Sequence, residues 1–250
     1  MGDWPEGVGR RVLTETDSTM AEAARRAVEA SGPEWVLALR QTAGRGRRGR
    51  VWAMPEGNFA GSLLMRPEGP PVQAALRSFV AALALRDAFL AAGVGEADIG
   101  LKWPNDVLLK GGKVAGILLE SQGDGQGGIA HLIVGIGVNL ATAPPAAELE
   151  PGAVRPVSLG GETGIEIAPE AFLDLLAPAF ARYESQMATY GFAPIRRAWL
   201  TGAARLGETI TARLPGEDIV GRFTDIDEGG NLVLETPKGP RTVAAAEIFF

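Results

Sequence analysis

Up to about residue 204, short apolar or period-two runs alternate with stretches whose apolar positions recur every three or four residues. The pattern predicts strands at Val12 to Thr14, Trp35 to Gln41, Asn58 to Met65, Ile99 to Trp103 and Ile129 to Asn139. Between the first two lies an Ala-rich helix ending near Ala30, with capping-box spacing in Thr19-Met-Ala-Glu22 at its head. A long helix is predicted from about Val72 to Ala92, ended by Gly93. Arg77, Arg86 and Asp87 interrupt its apolar run, which makes it amphipathic and not a membrane span. Val107 to Glu120 reads as a β-hairpin turning at Gly111-Gly112, because both residues can take positive φ. Pro169 to Met187 is helical, with Pro178 expected to kink or split it, and a shorter helix, Pro194 to Leu200, ends at Gly202.

Beyond Arg205 the texture changes to four short strands separated by turns: Glu208 to Arg213, Ile219 to Ile226, Asn231 to Glu235 and Arg241 to Ile248. The order of elements predicts an α+β fold, a mixed and largely antiparallel sheet flanked by helices, followed by a small all-β module. The expected division is residues 1–203 and 204–250.

Composition narrows the function classes. The chain of 250 residues carries 30 acidic and 24 basic side chains, a net charge of −6 that speaks against a broad nucleic-acid surface. With no cysteine, disulfides and thiolate chemistry are excluded, and the single His131 lies in an apolar strand, where it reads as a strand residue and not as a catalyst. The start lacks the basic and apolar regions of a signal peptide, so a cytoplasmic protein without a membrane partner is expected.

Against this acidic background, residues 44 to 50 read Gly-Arg-Gly-Arg-Arg-Gly-Arg, with Trp52 close behind. Arginine offers a planar fork of donors suited to phosphate and carboxylate, and glycine lets the backbone approach a ligand closely. An anion site is the reading preferred to a solvated charge run. Gly44-x-Gly46-x-x-Gly49 spells the dinucleotide fingerprint, but Val51-Trp-Ala-Met-Pro55 cannot open the helix that fingerprint needs. An RGG-like nucleic-acid segment would recur in disordered sequence, and this one occurs once between strands. Lys102-Trp-Pro-Asn-Asp106 gathers a cation, an amide and a carboxylate around a rigid turn, and serves equally as an edge-strand ending. Taken singly, Lys113 is an exposed hairpin lysine, while Gly135-Ile-Gly-Val-Asn139 suits either packing or close ligand approach.

Together, Asp17-Ser-Thr19, Gln41 through Arg50, Trp52, Lys102 through Asp106, Gly112 through Leu118 and Gly135 through Asn139 closely resemble the bacterial biotin protein ligases, from about residue 11 onward. The form resembled is the monofunctional one, since no room precedes Ser18 for an N-terminal DNA-binding domain. The resemblance implies a catalytic domain of the class II aminoacyl-tRNA synthetase and biotin ligase type, with a C-terminal SH3-like β-barrel. It implies biotin contacts from Ser18, Thr19, Met20, Gln41, Gly44, Arg45, Gly46, Arg47, Lys113 and Gly116. Arg48, Arg50, Trp52, Lys102, Asn105, Asp106, Lys113 and Asn139 would serve ATP, with Asp106 as a ligand of Mg²⁺. Lys113, Arg45 and Arg47 would carry the catalysis. The implied reaction joins biotin and ATP into biotinyl-5′-AMP, then moves biotin to a lysine of the carboxyl carrier domain of acetyl-CoA carboxylase or another biotin-dependent carboxylase. No nucleic-acid partner is implied, and monomer and homodimer both remain open. Lipoate or octanoyl transfer on the related fold, and a non-enzymatic phosphate- or RNA-binding module, are the alternatives.

Overall fold

The computed structural model describes residues 3–145 and 154–249; the Arg48 side chain lies outside the described residues. Strands β1 (Gly9–Leu13), β2 (Glu34–Ala38), β3 (Phe59–Met65), β4 (Ile99–Lys102), β5 (Asp106–Leu109), β6 (Gly112–Gly123) and β7 (Ile129–Val138) form one sheet in the order β1-β2-β3-β7-β6-β5-β4. Its only parallel strand pair is β1 with β2, among the described residues. Parallel neighbours need a crossover, and α1 (Thr19–Arg26) supplies it.

Helices cover both faces, so β2 from Trp35 onward and all of β3 are buried, with Ser62 the one polar side chain among them. On one face Met20 and Ala23 of α1 pack against Val36, Leu64 and Ile133. The other face carries α2 (Pro71–Ala75), α3 (Arg77–Ala91), α4 (Leu159–Thr163), α5 (Pro169–Tyr190) and α6 (Phe192–Thr201), around the main core. There Trp35 meets Phe180 edge-on at 5.9 Å and Phe59 meets Phe172 at 5.5 Å. The period-two alternation of β7 sends Val134, Ile136 and Val138 into this core and turns Gly135 and Gly137 toward the face that bears α1.

Several expectations need correcting. The hairpin turns at Lys110 and Gly111, with φ of 47° and 79°, one residue earlier than predicted; Gly112 already belongs to β6. The predicted long helix divides at Leu76 into α2 and α3, and α3 is not amphipathic: Arg77 through Leu85 are all buried, because α5 covers the side away from the sheet. Pro178 does not split α5. It lacks the N–H that would reach Asp174, but Leu176, Ala177, Ala179 and Phe180 beside it are buried, and their packing offsets a proline cost of about 3 kcal/mol. The first helix is entered from Ser18 and not Thr19. Glu22 pairs with Arg25 instead of reaching back, and the Gln41 side-chain carbonyl takes the Thr19 N–H at 2.7 Å.

The C-terminal module contains five strands where four were expected: β8 (Thr209–Leu214), β9 (Glu217–Ile226), β10 (Leu232–Thr236), β11 (Gly239–Val243) and β12 (Glu247–Phe249), in the order β11-β10-β9-β8-β12. The last predicted run breaks in two because the chain bends at residues 244–246. The module seats on the first domain through polar anchors. Arg196 of α6 donates to the Ile226 carbonyl and the Asp225 carboxylate. Trp103 Nε1, buried at the end of β4, donates to the Gly230 carbonyl at 2.9 Å. Replacing Trp103 with Phe keeps the apolar bulk and leaves that carbonyl unpaired. A loss of about 2 kcal/mol in denaturant unfolding is expected, and an unchanged midpoint would show that the anchor contributes nothing.

Candidate active site

A cavity of about 600 Å³ opens on the α1 side of the sheet, beyond the first turn of that helix. Its floor follows from register. Ala60 of β3 lies opposite Gly137 of β7, which lies opposite Gly116 of β6, so three adjacent strands place small residues in one row. A Cβ on Gly137 would overlap the Trp52 indole, and one on Gly116 would lie 3.2 Å from that ring and 3.4 Å from Lys113 Cε. The aromatic ring and the lysine stem therefore lie directly on bare backbone.

The helix end of the cavity is polar. Thr19 donates both its N–H and its hydroxyl to Gln41 Oε1, at 2.7 and 3.1 Å, and Ser62 Oγ donates to Thr19 Oγ1 at 2.8 Å. Ser18, Thr19 and Met20 are buried and line the cavity, with the Met20 sulfur filling the space above Gly135.

The arginine and glycine loop folds as a tight hairpin at the rim. Gly46 N–H donates to the Arg50 carbonyl at 2.7 Å and Trp52 N–H to the Gly44 carbonyl at 2.9 Å, around a single 3₁₀ turn at Arg47–Gly49. Gly44 is buried, and a Cβ there would stand 2.7 Å from the Trp52 carbonyl. Repulsion between the arginines is relieved by separate partners. Arg45 reaches Glu120 of β6 at 3.4 Å, Arg47 donates to Asn105 Oδ1 at 2.9 Å, and Arg50 pairs with Glu247 of β12 at 3.0 Å. Half-exposed pairs of this kind contribute about 0–1 kcal/mol each, so they exchange readily for a better anion.

Opposite the loop, β4 and β5 bring Lys102 and Asp106 together around Trp103-Pro104, whose peptide bond is cis. Asp106 Oδ1 lies 2.7 Å from Lys113 Nζ, and Oδ2 lies 3.9 Å from the buried Lys102 Nζ. Burial pushes the Lys102 ammonium below its ordinary pKa, while Asp106 draws it back up. Asn105 fixes the turn: its Nδ2 donates to the Ile117 carbonyl at 2.6 Å, and its own carbonyl accepts the Ile117 N–H at 2.9 Å. Lys113 Nζ also stands over the Trp52 ring at 5.7 Å. Asn139 is buried at the cavity wall, with its Nδ2 donating to the Val157 carbonyl at 3.0 Å.

All the sequence-predicted site residues except Gly44 and Arg48 line this one cavity; Gly44 lies in the loop behind its rim, and the Arg48 side chain is outside the described residues. Sequence reasoning missed Ala60, Leu118, Val154 and Pro156, and the contribution of Ala246, Glu247 and Ile248 from the C-terminal module. Only the period-two parity of β3 and β6 could have pointed to Ala60 and Leu118. Among the described residues no group of three His, Cys, Asp or Glu side chains could hold a metal, and Asp106 faces two ammonium groups while its buried Oδ1 accepts no hydrogen bond. Nor is any described helix long and apolar enough to cross a membrane.

An α+β domain with a cavity lined by arginine and lysine on a glycine floor, joined to a small β-module, is the class these features define. The sequence matches the Biotin/lipoate A/B protein ligase family over residues 8–139 and the biotin protein ligase C-terminal domain over residues 206–250. It is 59% identical, over 96% of this chain and 99% of the relative, to the biotin--[acetyl-CoA-carboxylase] ligase of Paracoccus denitrificans. Identity is 34% to the bifunctional ligase/repressor BirA of Bacillus subtilis, covering 95% of this chain and 71% of that one. The solved structure of the Aquifex aeolicus biotin protein ligase in complex with biotin and ATP is similar with a TM-score of 0.77 at 27% identity, covering 96% of this chain and 97% of that chain. The chain belongs to the biotin protein ligases of the biotin/lipoate A/B protein ligase family.

Replacing Asp106 with Asn removes the counter-charge of Lys102. At pH 7 this is expected to cost about 3 kcal/mol. Because the folded-state pKa of Lys102 is depressed, the unfolded chain binds the extra proton, so stability rises with pH across the window below the ordinary lysine value. The deficit of the variant against the wild type should therefore shrink between pH 7 and 10 in denaturant titrations. A deficit independent of pH would contradict the pairing.

Proposed function

We propose that the protein activates biotin with ATP to biotinyl-5′-AMP, releasing pyrophosphate, and then transfers biotin to a lysine of a carboxyl carrier domain. The carrier is that of acetyl-CoA carboxylase or another biotin-dependent carboxylase, and the reaction belongs in the cytoplasm. The observation that carries this reading is the Lys113 ammonium, poised 2.7 Å from Asp106 over bare backbone in a cavity rimmed by arginines. Sequence kinship to a biotin--[acetyl-CoA-carboxylase] ligase over nearly the whole chain selects biotin among the acids such a site could activate.

A carboxylate is a poor acyl donor because oxide leaves badly, so activation comes first. One carboxylate oxygen of biotin attacks the α-phosphorus of ATP, and the bond from that phosphorus to the pyrophosphate oxygen breaks. Two anions must meet for this. Lys113 supplies fixed positive charge where they do, joined by Arg45 and Arg47 as the hairpin closes, and preorganised charge usually makes the largest catalytic contribution. In the second step the carrier amine attacks the acyl carbon, the bond to AMP oxygen breaks, and the amine sheds a proton.

The same reading assigns a role to each residue. Ser18, Thr19, Met20 and Gln41 form the polar helix end suited to the biotin ring system, with Gly44, Gly46 and Gly116 leaving room for it. Arg50, Trp52, Lys102, Asn105, Asp106 and Asn139 are assigned to the nucleotide side, and Arg48, whose side chain lies outside the described residues, is assigned with them by the family resemblance alone. Magnesium would enter with the nucleotide substrate; Asp106, with Lys113 at 2.7 Å and Lys102 at 3.9 Å, fits poorly as a resident ligand. Residues 1–203 carry the chemistry, and residues 204–250 close one wall through β12. The hairpin at the rim acts as a lid, exchanging its weak pairs for the charge of the adenylate.

Replacing Lys113 with Ala should slow biotin-dependent exchange of pyrophosphate into ATP by about 100-fold, well beyond any effect on thermal stability. Unchanged exchange would remove Lys113 from the chemistry. Exchange supported by lipoate and not by biotin would overturn the substrate.

A further inference from the structure

Lys113 sits beside Gly112 at the start of β6, and the segment from Val154 to Val157 crosses both. Lys113 N–H donates to the Arg155 carbonyl at 2.8 Å, and Val157 N–H donates to the Lys113 carbonyl at 2.9 Å, a parallel bridge centred on Pro156. The Val157 carbonyl then accepts from Asn139 Nδ2 at 3.0 Å, and the Asn139 carbonyl accepts the Leu159 N–H at 2.9 Å. One strap thus grips the backbone of Lys113 and the side chain of Asn139, two cavity residues on different strands.

The strap can lie this close because residue 112 has no side chain. A Cβ there would fall inside van der Waals contact with Val157 Cγ1, 3.0 Å from Cγ2 and 3.1 Å from the Arg155 carbonyl oxygen. Turn geometry does not require glycine at this position, since the positive φ angles belong to Lys110 and Gly111. Val157 cannot simply retreat, because it is 2% exposed and packed in the main core.

We propose that Gly112 is a positioning residue: its missing side chain lets the Val154 to Val157 strap seat the Lys113 backbone, and so sets the ammonium against Asp106 and the reacting anions. The inference rests on the role given to Lys113 above. A backbone shift of a few tenths of an ångström or more, passed to a group that must meet developing charge, reduces turnover without removing any binding group.

The test is a cycle of Gly112→Ala, Val157→Ala and the double variant, with two readouts. The first is biotin-dependent pyrophosphate exchange. The second is the rate at which acetic anhydride acetylates Lys113 relative to the exposed Lys238, followed by mass spectrometry, which needs no activity. Gly112→Ala should lower kcat about 10-fold or more, with a smaller change in the KM for biotin, and should speed acetylation of Lys113 as its pairing with Asp106 loosens. Val157→Ala removes the methyl groups that the new Cβ would meet, so the double variant should return toward the single Val157→Ala variant in both readouts, even if Gly112→Ala alone folds poorly. Wild-type values for Gly112→Ala in both readouts, or a double variant no better than Gly112→Ala, would overturn the proposal. A wild-type protein with no exchange would overturn the function assigned to Lys113, while the labelling cycle would still report whether Gly112 positions it.

Discussion

Three neighbouring strands place Ala60, Gly137 and Gly116 side by side, and the site depends on that row. Larger side chains at those points would fill the space above the sheet, and neither the Trp52 ring nor the Lys113 stem could reach the backbone. The constraint is one of register. A slip of one residue in β7 would send Gly135 and Gly137 into the main core and push Val134, Ile136 and Val138 into the cavity. Packing energy on the helix-rich face therefore holds the floor of the cavity in place, because the same alternation serves both.

Charge is arranged on the floor in two ways. Lys102 and Lys113 share Asp106 on neighbouring strands, so this part of the site is held by the sheet itself. The arginines stand on a hairpin tied to β6, to Asn105 and to β12 by contacts worth little individually. A rigid pair of ammonium groups facing an easily released set of guanidiniums suits a reaction that must exclude water from a labile adenylate and later admit a protein-borne lysine.

The arginine and glycine loop stood out in the sequence because four like charges on a flexible backbone need partners, and the structure supplies Glu120 to Arg45 and Glu247 to Arg50. Lys113 was legible only through its company, since a lysine after a tight turn is ordinarily a solvated one. Element types were readable from periodicity, but the turn position was not: Lys110 adopts positive φ in place of Gly112, whose glycine serves close approach to Val157. Pro178 misled because its local cost is outweighed by tertiary burial around α5. The wall built by Val154, Pro156 and β12 left no sequence signal, as these residues reach the cavity through long-range packing and carry no chemistry of their own.

Formation of an acyl-adenylate of biotin in this cavity, and its delivery to a carrier lysine, unite the parts of the site. The most direct measurement is mass spectrometry of a biotin carboxyl carrier domain incubated with the protein, biotin and MgATP, with a lipoate arm and an arm lacking ATP. One biotin on one lysine of the carrier is expected, dependent on ATP and absent with lipoate. A carrier that stays unmodified, or that gains lipoate instead, would contradict it.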